Sequence, residues 1–248
     1  MNIKETPMKQ NPLKIEYQNI GLFNNDIPNL INKDYLNDDN EKYMKMYNWM
    51  SRVYDFGETV GGKLMYGNQV NQMRQEMMKK LEWKDNASVL YVSIGTGKDL
   101  EYIPKSIDKK SLTIYGIDIS MGMLKRCKKK FNKKLNLSLL NCCAEDLPFQ
   151  DNSFDIVFHV GGINFFNDKQ KAISEMIRVA KENTILLIAD ETSDLIEKQY
   201  KKSGFTKKYY SDKTVNLNEI EKLIPRSVTE MKTEILWSGK FYCITFRK

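Results

Sequence analysis

The sequence predicts a doubly wound α/β fold of Rossmann-like type, built on a mostly parallel seven-stranded sheet. Strand-like and helical segments alternate between about residues 88 and 191, which is the pattern of βαβ units. The segment TILLIAD, residues 184–190, is a nearly continuous apolar run, as expected of a parallel strand covered on both faces. The stretch VLYVSIGTGKDL, residues 89–100, places a glycine turn between an apolar strand and a short helix, which is typical of nucleotide-binding units.

The N-terminal part of the chain is expected to lie outside this α/β core. Residues 1–40 are polar and rich in asparagine, so we expect a flexible or loosely docked arm there. Residues 41–56 and 68–83 carry the apolar spacing of amphipathic helices, and they predict a helical lid over residues 41–84. The core is then expected over residues 85–248. In the first helix the apolar stripe consists of Met46, Trp49, Met50 and Val53.

Seven segments of the core predict strands, and their order sets the expected topology. They are SVLYVSI (88–94), SLTIYGIDI (111–119), LSLLNCC (137–143), FDIVFHV (154–160), TILLIAD (184–190), MKTEILW (231–237) and FYCITFRK (241–248). Helices are predicted by KDLEYIP (98–104), MLKRCKKKFNKK (123–134) and DKQKAISEMIRVAKE (168–182). Because only Ser238, Gly239 and Lys240 separate the last two strands, we predict a hairpin and an antiparallel C-terminal strand.

The composition weighs against several classes of function. A net charge of +7 suggests nucleic-acid binding, but the six arginines are scattered, and the basic run at residues 125–134 is expected to be a solvated helix face. No apolar run is long enough to span a membrane and no secretory signal is recognisable, so a cytoplasmic protein is expected. The four cysteines form no C-x-x-C pair and the chain has one histidine, so we expect buried thiols and no metal.

The glycine turn predicts an adenosyl cofactor more than a dinucleotide. Gly95 and Gly97 allow close approach to a helix N-terminus, and Asp118 ends the next predicted strand 21 residues after Gly97. In nucleotide-binding α/β folds an acid at that place accepts hydrogen bonds from ribose hydroxyls. The dinucleotide fingerprint needs a third small residue, and Leu100 stands there instead. A cofactor without a pyrophosphate therefore fits better.

Four motifs resemble those of class I S-adenosylmethionine-dependent methyltransferases, especially the branch of ubiquinone and menaquinone biosynthesis. They are VSIGTG, GIDISMGML, CAEDLPFQDNSFDIV and AISEMIRVAKENTILLIADE, in this order between residues 88 and 191. VYDF, residues 53–56, resembles the YD element that often precedes the core in this branch. The resemblance implies S-adenosylmethionine as cofactor and methyl transfer to a small organic acceptor, namely a quinone-like compound, a phenol, an amine or a secondary metabolite.

The resemblance also implies roles for residues at the carboxyl ends of the predicted strands. Gly95 and Gly97 let the turn wrap the methionine end of the cofactor, Thr96 shapes the turn, and Asp118 holds the ribose hydroxyls. The other implied cofactor-binding positions are Ser93 in the same turn, Ile119, Cys143, Ala144 and Glu145 around the adenine, and His159 and Val160 beside the reactive methyl group.

Three positions depart from the family pattern. Tyr91 stands where an acid often helps to hold the methionine ammonium, which leaves open how this ammonium is held. Ser93 replaces the usual first glycine, and a serine is tolerated there if its φ is negative. Cys143 replaces an aspartate that commonly contacts the adenine amine, and a thiol is a weak acceptor, so we expect modestly lower affinity or compensation by main-chain contacts.

Candidates for catalysis and acceptor binding follow from the same resemblance. His159 is a candidate general base, and the alternative is a partly buried histidine that shapes the pocket. Tyr47 and Tyr54, together with Trp49, would form an aromatic lid over a flat acceptor, and ordinary helix packing is the alternative. Asn164, Phe165 and Phe166 follow the fourth strand and are candidates for acceptor contact, although the two phenylalanines suit the core equally well.

Other functions remain open at this point. A non-catalytic protein would bind S-adenosylmethionine and methylate nothing. An NAD-dependent oxidoreductase would bind nicotinamide instead, against the indication of Leu100. A nucleic-acid methyltransferase would show steeply salt-dependent binding to RNA. The expected partner is a small-molecule substrate, with neither nucleic acid nor stable membrane insertion, and the sequence makes no prediction of the oligomeric state.

Overall fold

The computed structural model describes residues 11–18, 26–51, 68–201 and 215–248 and contains a seven-stranded sheet in the order β3-β2-β1-β4-β5-β7-β6. The strands are β1 (Ser88–Val92), β2 (Thr113–Asp118), β3 (Leu137–Asn141), β4 (Ile156–Val160), β5 (Ile185–Glu191), β6 (Thr229–Leu236) and β7 (Phe241–Arg247). Within the described residues only β7 runs against the other strands of the sheet. The predicted fold class, Rossmann-like and mostly parallel with an antiparallel C-terminal strand, is confirmed.

Helices cover both faces of this sheet. They are α1 (Asp38–Met50), α2 (Gln69–Lys79), α3 (Met121–Phe131), α4 (Lys169–Val179) and α5 (Leu217–Leu223), and a short helix, Ser193–Leu195, continues as a π-helix over Ile196–Tyr200. Val89 and Tyr91 of β1 pack on one face with α2 and α3, whereas Leu90 and Val92 pack on the other face with α4 and α5. Successive side chains of a strand point to opposite faces, so a fully covered sheet needs the continuous apolar runs seen in the sequence.

Residues at the starts of α3 and α4 satisfy the unpaired N–H groups of these helices. The Ser120 hydroxyl accepts a hydrogen bond from the N–H of Met123 at 3.2 Å, and the Asp168 carboxylate accepts one from Lys171 at 2.8 Å. Because Ser120 follows β2 so closely, the N-terminus of α3 lies at the carboxyl edge of the sheet. This edge is where ligands bind in open α/β sheets.

The predicted hairpin is present at the C-terminus. Leu236 of β6 pairs with Phe241 of β7, and the turn between them has positive φ at Trp237, Ser238 and Gly239. Helix α5 has no counterpart among the predicted elements, because its seven residues span only two turns and give no clear periodic pattern.

Two segments before α1 lie against the end of β3 and against the loop that follows it. Leu13 is fully buried and forms a β-bridge with Phe149. Further on, the N–H of Leu30 donates to the Asn141 carbonyl at 2.7 Å, and the N–H of Asn141 donates to the Pro28 carbonyl at 2.9 Å. The two hydrogen bonds to Asn141 occupy the outer edge of β3, which would otherwise expose unpaired backbone groups there. The described part of the predicted arm is therefore docked on the core.

The two predicted lid helices differ in their packing. Helix α1 buries Tyr43 and Met46, but Trp49, which was expected in the buried stripe, is 52% exposed, because the buried face is rotated towards Tyr43. Helix α2 buries Met77 and Met78 completely against the sheet, as a core helix does. The VYDF segment at residues 53–56 lies outside the described residues, and the domain boundaries remain a prediction. None of the described helices combines the length and apolar character needed to cross a membrane.

Candidate active site

A cavity opens at the carboxyl edge of the sheet, around the point between β1 and β4 where the strand order reverses. Its empty volume, including the solvent at its mouth, is about 1140 Å³. Among the predicted cofactor-binding residues and the predicted lid tyrosines, those that line it are Tyr47, Ser93, Gly95, Thr96, Asp118, Ile119, Cys143, Ala144, Glu145 and Val160. Ten residues from α1, from strand ends and from the loops after them thus lie around one cavity, whereas Gly97 does not line it.

The glycine turn owes its shape to left-handed backbone. Gly95 and Gly97 have φ of 53° and 74°, a region that favours glycine. A Cβ on Gly97 would come within 2.8 Å of both Cys127 and Phe131, whereas a Cβ on Gly95 would meet nothing within 4 Å. Ser93 has a φ of 57°, so the condition under which a serine is tolerated without strain, a negative φ, is not met. The turn needs left-handed geometry here too, and the serine adopts it under strain.

Asp118 is held at the start of this turn by backbone groups. One carboxylate oxygen accepts the N–H of Gly95 at 2.8 Å and the other accepts the N–H of Ser120 at 2.7 Å. Burial raises the pKa of Asp118 to about 6, against the lowering effect of these two hydrogen bonds. Each oxygen keeps further acceptor capacity towards the cavity that Asp118 lines.

Asn141, at the end of β3, supports Asp118 and escaped the sequence prediction. Its amide group donates to the backbone carbonyls of Asp118 and Ile119 at 2.8 and 2.9 Å. An asparagine inside an apolar strand was a usable signal, because a buried amide needs partners.

The loop after β3 forms the next part of the wall. Glu145 is buried and accepts a hydrogen bond from the Asn40 amide of α1 at 2.8 Å, and burial raises its pKa. Burial also raises the pKa of the Cys143 thiol to about 12, so this side chain is neutral. All four cysteines are buried free thiols. The contact between Asn40 and Glu145 joins α1 to this loop, although a lid role for α1 remains a prediction.

His159 does not line the cavity. It is fully buried, its Nδ1 lies 3.2 Å from the Val92 carbonyl, and its Nε2 accepts the N–H of Ile163 at 3.0 Å. Burial lowers its pKa to about 4, so the ring is neutral with a proton on Nδ1. Both ring nitrogens are occupied by backbone groups, which argues against the predicted base role and against cofactor contact. The alternative of a histidine that shapes the pocket fits this arrangement.

Only some of the predicted acceptor residues line the cavity. Tyr47, Phe165 and Phe166 line the cavity. Asn164 is buried behind the wall, where its amide donates to the Glu191 carbonyl and accepts the Tyr242 hydroxyl, both at 2.9 Å, and this pairing argues against acceptor contact. Tyr54 lies outside the described residues.

An acidic pair ends β5, and sequence reasoning missed it. Asp190 is fully buried and accepts the N–H groups of Gly162 at 3.1 Å and Asn164 at 2.9 Å. Burial raises its pKa well above the usual range, and the neighbouring charge and side-chain hydrogen bond of Glu191 raise it further. Glu191 lines the cavity. Two acids at the carboxyl end of a parallel strand were a readable signal.

Three further residues were missed and line the cavity together. Arg74 of α2, Tyr91 of β1 and Asp99 after the glycine turn come from separate parts of the chain. Phe241, at the start of β7, lines the cavity as well. No local pattern marks Arg74 or Phe241, because each reaches the site only through the packing of its element.

Comparisons with known proteins agree with the motifs. Residues 90–188 match the family model of a methyltransferase domain. The chain is 31% identical over 157 residues to the ubiquinone/menaquinone biosynthesis C-methyltransferase UbiE of Campylobacter jejuni, a match that covers 61% of this chain and 64% of that protein. The chain thus spans less than two thirds of this relative's length. The predicted resemblance to class I methyltransferases, in particular to this branch, is confirmed.

Solved structures share the fold at lower identity. A SAM-dependent methyltransferase of Thermotoga maritima, described as a possible histamine N-methyltransferase, has a TM-score of 0.61 at 19% identity, over 82% of this chain and 99% of that one. A SAM-dependent methyltransferase of Aquifex aeolicus has a TM-score of 0.56 at 21% identity, over 70% and 88%. At these identities the likeness establishes the fold alone.

Proposed function

We propose that this chain, which carries a methyltransferase domain, transfers the methyl group of S-adenosylmethionine to a small organic acceptor. The observation that carries the proposal is the Asp118 carboxylate, fixed by two backbone N–H groups beside a left-handed glycine turn. A carboxylate so placed suits the vicinal hydroxyls of a ribose. The turn lacks the third small residue of a pyrophosphate site, since Leu100 stands at that position and is buried in the core. It also lacks the long helix of such a site, since the residues after the turn form only a short 3₁₀ helix.

The residues of the cofactor half bind and orient rather than react. Asp118 would accept hydrogen bonds from the ribose hydroxyls, and the loop from Cys143 to Glu145 would border the adenine. When bound, S-adenosylmethionine supplies an electrophilic methyl group on its sulfonium. The protein's task is therefore to align the acceptor and to exclude water from it.

The acceptor half of the cavity lies beyond β4 and is aromatic. Phe165, Phe166 and Phe241 line it together with Tyr47 of α1. Flat rings pack well among such side chains, so we propose an aromatic acceptor. The similarity to the Campylobacter quinone C-methyltransferase supports a hydroquinone as the first class to test.

Glu191 is the proposed proton acceptor for this half. Methylation of a ring carbon or of a phenol requires removal of a proton, and His159 is not placed to take it. Glu191 lines the cavity and shares a side-chain hydrogen bond with Asp190, which is itself fully buried behind the wall, so Glu191 is the member of the pair that can reach an acceptor. Asp190 would thereby position Glu191 without touching the acceptor.

The proposal is tested by calorimetric titration with S-adenosylmethionine and S-adenosylhomocysteine, followed by transfer of a labelled methyl group to a panel of hydroquinones, phenols and amines. We expect both ligands to bind and a hydroquinone to be labelled. Absence of binding would refute the proposal. Binding without transfer to any acceptor would indicate a non-catalytic binding protein, and binding of NAD alone would indicate an oxidoreductase.

A further inference from the structure

A buried ion pair faces the cavity beside the glycine turn. The Arg74 guanidinium donates to both carboxylate oxygens of Asp99 at 2.7 Å, and the Tyr91 hydroxyl donates to the same carboxylate at 2.5 Å. The Asp99 side chain is 2% exposed and that of Arg74 16%. All three residues line the cavity. A hydrogen-bonded pair of opposite charges is thus presented to whatever fills this end of the cavity.

The position of the pair relates it to one part of the proposed cofactor. Asp118 ends β2 and the loop after β3 lies further out, so the ribose and adenine would extend from β1 towards β3. The remaining end of the cofactor must then point the other way, towards β1 and β4. Tyr91 lies there, stacked on Phe158 of β4 with ring centroids 4.2 Å apart. The methionine end is therefore expected beside this cluster.

We propose that Arg74 and Asp99 form the subsite for the α-amino acid end of the cofactor, with Arg74 receiving the carboxylate and Asp99 the ammonium. The inference rests on the proposed function and deepens it. An amino acid zwitterion is complementary to an arginine–aspartate pair, since each charge of the ligand meets its opposite. Asp99 supplies the acid that is missing at position 91, and Tyr91 orients it through the short hydrogen bond.

This geometry explains why a tyrosine can stand at position 91, where the family often has an acid. An aspartate at position 91 would place a second carboxylate near Asp99 in a buried region, where like charges repel strongly. A tyrosine instead spans the distance and donates to Asp99. Asp99, the residue after Lys98, thus holds the ammonium in place of an acid at position 91.

The decisive comparison uses ligands that differ only at the amino acid end. S-adenosylhomocysteine carries both charges, its deaminated and decarboxylated analogues carry one each, and 5′-methylthioadenosine carries neither. We expect each single-charge analogue to bind the wild-type protein at least roughly tenfold more weakly than S-adenosylhomocysteine, the range of a charge-assisted hydrogen bond. Equal affinity of the deaminated analogue would overturn the assignment of Asp99.

Variants locate the effect. Asp99→Asn is expected to weaken S-adenosylhomocysteine at least roughly tenfold, while the affinity for 5′-methylthioadenosine stays within about twofold. Arg74→Met should show the same selectivity. The matched control is Glu101→Gln, which alters an acid of the same 3₁₀ helix that pairs with Lys98 and Lys130. This control should leave both affinities unchanged.

The outcomes separate this inference from the proposed function. If Asp99→Asn weakens both ligands equally, the ion pair merely supports the fold and the subsite is refuted. If the wild-type protein binds 5′-methylthioadenosine as tightly as S-adenosylhomocysteine, the subsite is also refuted while the adenosyl site stands. If neither ligand binds, the proposed function fails as a whole. The ligand series on the wild-type protein decides the question even where a variant does not fold.

Discussion

The cofactor half and the acceptor half of the cavity are built in different ways. In the cofactor half, the shape of the site depends mainly on the backbone. The turn at Gly95 and Gly97 is left-handed, and two backbone N–H groups hold the Asp118 carboxylate. In the acceptor half, side chains from distant segments form the wall, among them Tyr47 of α1 and Phe241 of β7. A binding site shaped by backbone is constrained by the local sequence of its turn. A site lined by side chains from distant segments can change its lining by single substitutions without changing the backbone.

The largest predicted effect tests whether chemistry is confined to the acceptor half. Glu191→Gln keeps the size and hydrogen-bonding shape of the side chain but removes the proton acceptor. We expect kcat to fall about a hundredfold or more, the usual contribution of a general base. The affinity for S-adenosylhomocysteine should stay within about twofold, because Glu191 lies on the far side of β4 from Asp118.

His159→Gln is the matched control for this experiment. It alters a buried residue near the same strand, and turnover per folded molecule should change by less than about threefold, since both ring nitrogens are bonded to backbone. A large loss of kcat in His159→Gln with full activity in Glu191→Gln would reverse the assignment and restore His159 as the base.

The same contrast determines how much was predictable. The strand alternation and the hairpin follow from local patterns, because parallel strands must be apolar. The glycine turn and the end of the next strand likewise predict Gly95 and Asp118, because carboxyl ends of parallel strands meet at one edge, whereas the other predicted cavity-lining residues were implied by the resemblance to the methyltransferase family. Arg74 and Phe241 could not be predicted, since their place depends on how α2 and β7 pack. For His159 the sequence left a base and a pocket-shaping residue open for a related reason, because position at a strand end does not reveal which way a side chain points.

The second prediction concerns the backbone of the glycine turn. Gly97→Ala introduces a Cβ that would approach Cys127 and Phe131 to 2.8 Å at a φ of 74°, so we expect the free energy of unfolding to fall by about 2–4 kcal/mol. Gly95→Ala has a similar φ but open space, and about 1–2 kcal/mol is expected from backbone strain alone. Urea denaturation of both variants measures the difference. Equal losses would show that steric contact with α3 does not determine the turn.

The third prediction is a pH dependence that belongs to the cofactor half alone. Under the proposed function the carboxylate form of Asp118 accepts hydrogen bonds from the ribose hydroxyls, and burial raises its pKa to about 6. Affinity for S-adenosylhomocysteine should therefore be nearly full from about pH 7 upwards and fall as the pH drops through the pKa, by about tenfold at pH 5. Calorimetry at about pH 7 and about pH 5, roughly one unit on either side of the pKa, measures this loss of affinity.

Asp118→Asn is the control for the pH series. The amide does not titrate, so this variant should bind weakly throughout and lose the dependence on pH. A wild-type affinity that stays constant from neutral pH to pH 5 would contradict the assigned role of Asp118, whatever the behaviour of the acceptor half.

The smallest predicted effect tests whether the departure at position 93 has a cost. Ser93 has a φ of 57°, and a non-glycine residue in this region is strained by about 1–2 kcal/mol, while glycine loses about 0.5–1 kcal/mol in chain entropy. Ser93→Gly is thus expected to stabilise the protein by up to about 1 kcal/mol, with cofactor affinity unchanged. Asn86→Gly, at an exposed residue with a φ of 62°, should gain less, because asparagine tolerates this conformation better than serine. If Ser93→Gly instead lowers the affinity for S-adenosylhomocysteine, then the serine hydroxyl contacts the ligand. In that case the cofactor half also depends on a side chain, one that stands where the family usually has glycine.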